Sequence, residues 1–230
     1  MIHGKQSHSL LEWFEFYLLD LVISDVQVAQ SVTQVPLEEL QKKYKDVSPF
    51  LIKKWERIFT LFFDRNCSHQ VDWGDFYLVV REVRNIYGAE SEQSRYAKKT
   101  MEALFEGLCK IADKDHDQLI SIVEWCDLLK KVSADSKKEP KWFKEYLTFL
   151  FKLFDVSADG VLDLAEYTDG MSTYGHSIHD SHVAFKRFAI DDKGQSVPSI
   201  DLNKWHTYFH QLFFSTDPKD LGNNLFGTMA

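Results

Sequence analysis

The chain has little glycine or proline for its length: 10 and 5 in 230 residues. That scarcity argues against a turn-rich β fold and suits helices. It has only three cysteines, Cys67, Cys109 and Cys126, with no close pair among them. An odd, scattered set without CxxC spacing fits a reducing compartment better than a disulfide framework. It has no basic excess either, since 27 Lys and Arg face 35 Asp and Glu for a formal net charge of −8. A protein that tracks phosphate backbones needs the opposite balance, so no nucleic acid is expected as a partner. No uninterrupted apolar run is long enough to span a bilayer. The nearest, over 10–23, is short and is broken by Glu12, Glu15 and Asp20; the same acids spoil it as a secretion signal, so the cytoplasm is the expected location.

What is present is aromatic. Phe, Tyr and Trp make up 14% of the residues within a hydrophobic fraction of 44%. So many rings must be buried, which excludes a disordered chain. Methionine, by contrast, numbers only four, two of them at Met1 and Met229. A sensor that opens a methionine-lined groove is therefore not the expected behaviour.

The chain repeats itself. FFDRNCSHQVDWGDF from Phe62, CKIADKDHDQLISIVEW from Cys109 and KLFDVSADGVLDLAEY from Lys152 share one grammar. An apolar run leads to an acid, then oxygen-bearing residues at alternate positions, then an aliphatic residue, then an acid followed by an aromatic. A weaker copy, FKRFAIDDKGQSVPSIDLNKW, begins at Phe185. Apolar residues recur at helical spacing on both sides of each copy, and Ser48-Pro49 reads as a helix start. The pattern predicts an all-α protein of four helix–loop–helix units. A first pair spans 48–132 and a second spans 141–216, joined by a polar linker at 133–140. The stretch 1–47 is expected to be a partly helical extension, and 217–230 a tail packed on the body.

The spacing inside the loops is the chemistry. A hard divalent cation such as calcium takes six to eight oxygens. A twelve-residue loop supplies them from positions 1, 3, 5, 7 (a carbonyl), 9 and 12, with a sharp turn at 6. Loop 155–166 offers Asp155, Ser157, Asp159, the carbonyl of Val161, Asp163 and Glu166, with Gly160 at the turn. Loop 113–124 offers Asp113, Asp115, Asp117, the carbonyl of Leu119, Ser121 and Glu124, with Gln118 where glycine would be easier. Loop 64–75 offers Asp64, Asn66, Ser68, the carbonyl of Gln70, Asp72 and Asp75, with His69 at the turn. Its closing Asp75 is a methylene shorter than glutamate, which shrinks the cage and favours magnesium there more than in the other two. The fourth copy, near 189–204, is degenerate: Ala189 takes position 1, Lys204 takes the closing position, and the span between is too long. A lysine there repels a cation, so no metal is expected.

Loops of this kind pair through the aliphatic residue at position 8, which is Val71, Ile120, Leu162 and Ile200 in turn. The fourth loop is thus expected to back the third structurally. The three complete loops hold eleven acids, and three divalent ions would take the formal charge from −8 to −2. Metal is accordingly expected to stabilise the fold.

With these residues in view, the chain resembles the EF-hand proteins, and within them the invertebrate sarcoplasmic calcium-binding protein and calexcitin group. The resemblance runs over 48–227 and is carried by Asp75-Phe76, the broken fourth loop and the tail DPKDLGNNLFG from Asp217. It implies two EF-hand pairs in one compact body, a tail folded back onto it, and calcium in some of the first three loops. The reading is a calcium-binding protein, a buffer or modest sensor, rather than an enzyme. The alternative that the same group implies is a nucleotide-dependent kinase of the juvenile hormone diol kinase type, but no glycine-rich phosphate loop is present to support it. Trp13, Phe14, Phe16, Tyr17, Leu18 and Leu21 form an apolar helical face, expected to pack on the body, with docking to a partner protein as the alternative.

Overall fold

Nine α-helices follow one another among the described residues of a computed structural model, which are 34–135, 139–172 and 174–227. The aromatic face expected within 13–21 lies outside them. The order is α1 (Leu37–Lys43), α2 (Pro49–Ile58), a π-helical turn (Phe59–Phe63), β1 (Gln70–Val71), α3 (Trp73–Tyr87), α4 (Glu92–Ala112), β2 (Ile120–Ser121) and α5 (Ile122–Ala134). Then come α6 (Lys141–Phe154), β3 (Val161–Asp163), α7 (Leu164–Ser172), α8 (Ile178–Phe188), β4 (Ser199–Asp201), α9 (Leu202–Phe214) and a 3₁₀ turn (Leu221–Asn224).

The helices start where the chain offers caps. Asp72, Ser121, Ser177 and Asp201 each accept a backbone N–H three residues on, which satisfies an orphan donor of the first turn. Ser48 also stands at a helix start, but its side chain makes no capping bond. Proline at the first position of α2, with its fixed φ and absent N–H, does that work instead.

The four short strands form two antiparallel pairs. Val71 lies opposite Ile120, and Leu162 opposite Ile200, so all four position-8 residues meet as the spacing predicts. Each pair of loops is thereby fixed back to back.

The two pairs are held together by rings. Phe63, at the end of the π-helical turn, sits 4.7 Å from Trp125 in the first pair and 5.0 Å from Tyr146 in the second, measured between ring centroids. Burying an indole leaves its N–H in need of an acceptor. The Trp55 Nε1–H donates to the carbonyl of Phe213 at 2.7 Å, and the Trp142 Nε1–H to that of Leu104 at 2.6 Å. One bond runs from the first pair to the second and the other runs back. Trp125 and Trp205 satisfy theirs on the carbonyls of Trp55 and Leu147. Lys54 is also fully buried, an unusual place for an ammonium. Its Nζ donates to the carbonyls of Gln211 and Ser215 and to Oδ1 of Asn223, so it anchors the C-terminal segment under α2.

Helix α1 falls inside the stretch expected to be an extension. Leu40 and Tyr44 are buried, and the Tyr44 hydroxyl donates to Asp127 Oδ1 at 2.8 Å. This part of the chain belongs to the packed body.

Candidate metal centres

Each of the first three loops is wound around its own leading aspartate. In loop 155–166 the Asp155 carboxylate accepts the N–H groups of Asp159 and Gly160, both at 3.1 Å. In loop 64–75 Asp64 accepts those of Ser68 and His69 at 2.8 and 2.9 Å. In loop 113–124 Asp113 accepts those of His116 and Gln118 at 2.7 and 3.1 Å. Such winding demands left-handed backbone. Position 6 provides it in His69 (φ 66°), Gln118 (φ 66°) and Gly160 (φ 84°), as the turn requires. Position 4 is left-handed too, in Cys67, His116 and Ala158 with φ from 57° to 64°. Sequence spacing gave no expectation for position 4. The available signals are weak: His116 belongs to a type enriched at positive φ, and none of the three is β-branched, the class that tolerates it least.

The closing acids turn inward. Glu166 accepts the Ser157 N–H on Oε1 at 2.9 Å and the Asp163 N–H on Oε2 at 3.4 Å. Asp75 does the same with the N–H groups of Asn66 and Asp72, at 3.0 and 2.9 Å. Glu124 takes the Ser121 N–H and hydroxyl, but reaches the N–H of Lys114, position 2, instead of position 3. In every case one carboxylate joins the start of the loop to the helix that follows it.

Carboxylate oxygens of Asp155, Asp159 and Glu166 lie within 4.8 Å of one another, as do those of Asp113, Asp115 and Asp117. Like charges at that spacing repel, and a divalent cation between them removes the repulsion. The donor set is oxygen throughout. Cys67, His69 and His116 fall at positions 4 and 6, away from the ligand positions, so the loops suit a hard cation and not zinc. Glu124 and Asp163 are not in these clusters; Asp163 holds position 9, which commonly acts through water.

Loop 64–75 is built differently. Asp64 and Asp75 are only 2% and 1% exposed, and no cluster of three acids forms there among the described residues. Burial pushes the Asp75 carboxyl up to about 6 and raises Asp64 as well, against the backbone N–H bonds that favour their ionised forms.

The fourth loop has no counterpart of these sites. Ala189 is buried at position 1, and the Lys204 Nζ donates to the carbonyl of Ile190 at 2.6 Å. Four residues in excess of the twelve-residue pattern form a turn closed by Asp191, whose Oδ1 accepts the N–H groups of Lys193 and Gln195. No helix of the described residues is long and apolar enough to cross a membrane.

This geometry can be set beside known proteins. Calexcitin-1 of Caenorhabditis elegans is 65% identical over 200 residues, which is 87% of this chain and 97% of that protein. The chain belongs to the calexcitin family. The 200 matched residues exceed what lies beyond Val47, so the likeness to calexcitin reaches back into 1–47, further than the loops and tail alone indicated. Sarcoplasmic calcium-binding proteins I, III and IV of Branchiostoma lanceolatum are 27% identical over 188 residues, covering 79% of this chain and 98% of theirs. A solved sarcoplasmic calcium-binding protein from amphioxus superposes with a TM-score of 0.68 at 24% identity, over 80% of this chain and all of that one. It shows that this calexcitin relative has the EF-hand fold of that group. No family model matches the chain.

Proposed function

We propose that this protein binds calcium through loops 64–75, 113–124 and 155–166, and works as a calcium-binding protein rather than an enzyme. The observation that carries the reading is the inward-turned closing acid. Glu166, on the helix after its loop, is brought to Asp155 and Asp159 at the loop's start. A carboxylate so placed can take an ion with both oxygens, and the charges it joins otherwise repel one another. The names of the relatives above agree with that chemistry.

The ligands are Asp155, Ser157, Asp159, the Val161 carbonyl, Asp163 and Glu166; Asp113, Asp115, Asp117, the Leu119 carbonyl, Ser121 and Glu124; and Asp64, Asn66, Ser68, the Gln70 carbonyl, Asp72 and Asp75. The third set, closed by the shorter Asp75, takes magnesium more readily than the other two. The fourth loop takes no ion. The protein acts in the cytoplasm as a buffer or modest sensor, its rings holding the two pairs together. Calorimetric titration tests the reading: three calcium ions per chain are expected, and none bound at millimolar calcium would overturn it.

A further inference from the structure

The fourth loop binds no ion, yet it is closed in the way that ion-binding loops are closed. In loops 64–75 and 155–166 the position-12 carboxylate reaches back and accepts the N–H at position 3. In the fourth loop the position-12 side chain is Lys204, and it also reaches back, to Ile190 at position 2. The polarity is reversed, so an ammonium donates where a carboxylate accepts, and the same two parts of the unit are joined. A charge-assisted bond of this kind is among the stronger ones, and it needs no ion to form. Further backbone bonds lie within the loop. The Asp191 N–H donates to the Gln195 carbonyl at 2.8 Å, the Val197 N–H to the Ala189 carbonyl at 2.9 Å, and Ile190 bridges to Ser196.

What the fourth loop holds, the third receives. Ser199–Asp201 pairs with Val161–Asp163, so β4 fixes the backbone of positions 7 to 9 in loop 155–166. Two of those positions are ligand positions: the carbonyl of Val161 and the carboxylate of Asp163. Asp201, at the end of β4, also caps α9 by accepting the Lys204 N–H at 2.8 Å. Lys204 is thereby joined to the start of its loop by its side chain and to β4 by its backbone.

We propose that Lys204 is a positioning residue for calcium at loop 155–166. Its ammonium stands in for the ion that the fourth loop lacks and keeps β4 ordered before calcium arrives. Loops 64–75 and 113–124 pair with each other through Val71 and Ile120, so each has for a partner a loop that is itself an ion site. The third site is therefore pre-organised and fills at lower calcium than its ligand set alone would give. The inference rests on the calcium reading above and deepens it.

The test follows the backbone amides of Gly160 and Gln118 by NMR during calcium titration of the full chain, one amide reporting each strong loop. Lys204→Met keeps length and removes the ammonium; Lys204→Arg restores a cationic donor. Lys204→Met is expected to raise the calcium midpoint at Gly160 about tenfold, a change of about 1.4 kcal/mol, and to leave Gln118 unmoved. Lys204→Arg is expected to recover most of the loss. A Gly160 midpoint unchanged in Lys204→Met would overturn the inference, and so would an equal shift at both amides, which would mean general destabilisation. Should Lys204→Met fail to fold, Lys204→Gln, whose polar head falls short of the carbonyl, carries the same comparison. A wild-type Gly160 that does not respond to calcium would instead overturn the calcium reading at this loop and the inference with it.

Discussion

Phe226 lies against Phe62 with ring centroids 4.0 Å apart and planes 29° from parallel. Phe62 belongs to the helical turn that leads into the first loop, and Phe226 to the C-terminal tail, so the pair joins the tail to the first helix–loop–helix unit. The tail is held further by the Tyr167 hydroxyl on the Leu225 carbonyl at 2.8 Å. Phe226→Ala is expected to cost about 3–5 kcal/mol, the usual range for emptying a buried phenyl site. Denaturant unfolding followed by tryptophan fluorescence checks it, and a loss below 1 kcal/mol would show that the tail is not part of the core.

Glu166→Gln and Glu124→Gln each remove one charge from a closing position without changing side-chain size. Each is expected to lower calcium stoichiometry by one near micromolar calcium; in Glu166→Gln, whose carboxylate lies in an acid cluster, the unfolding midpoint without metal is also expected to stay the same or rise, because the clustered acids repel less. Calorimetry beside a thermal melt in chelator reads both quantities. Unaltered stoichiometry in either variant would refute the ligand assignment for that loop.

Magnesium should discriminate among the loops. A smaller cation suits the shorter closing acid at Asp75, so millimolar magnesium is expected to raise the calcium midpoint at loop 64–75 more than at the other two. An equal shift at all three, followed through amides in the loops, would show that the aspartate does not set selectivity.

Lys54 gives the protein a titration of its own. Burial lowers it to about 8, although the charge of Asp220 works the other way. The unfolded side chain titrates near 10.4. Between those two values the unfolded chain holds more protons than the native one at this residue, so its contribution makes stability rise with pH across that window. Below about 8 the cost of the buried charge is present in full. Lys54→Met is expected to lack this rise, and subtracting the two stability–pH curves isolates the effect from the tyrosines. Parallel curves from pH 8 to 10.5 would contradict it.

Gln118 holds φ at 66° inside loop 113–124. A left-handed residue with a Cβ costs about 1–2 kcal/mol, partly offset by the greater freedom glycine has when unfolded. Gln118→Gly is therefore expected to stabilise the protein by about 0.5–1 kcal/mol. The same change would tighten calcium at that loop without altering loop 155–166. A lower melting temperature would mean that the Gln118 side chain makes contacts worth more than the strain.

Much of this was legible in the residues because loop chemistry is local. Twelve consecutive positions supply the oxygens, the turn and the pairing aliphatic, and no distant segment need be known to read them. The alternation of Asp155, Ser157 and Asp159, and the meeting of Leu162 with Ile200, follow from spacing alone. The π-helical turn at Phe59–Phe63 was not legible, because one extra residue in a helix leaves no mark on an apolar run. Nor was the left-handed backbone at Cys67 and Ala158, residues with no preference for it, and at His116 the type's modest preference is too weak a signal alone.

By itself, then, the chain's order of residues determined four helix–loop–helix units, three oxygen-lined loops and one loop without ligands. Tertiary structure alone decided what surrounds them. It sets Lys54 beneath the tail, Phe63 between the two pairs, α1 within the body, and the Lys204 ammonium on the Ile190 carbonyl. The physical reason is reach. A loop's own backbone fixes which oxygens can meet around an ion, whereas a buried ammonium or indole N–H takes whichever acceptor the packing of remote helices leaves beside it.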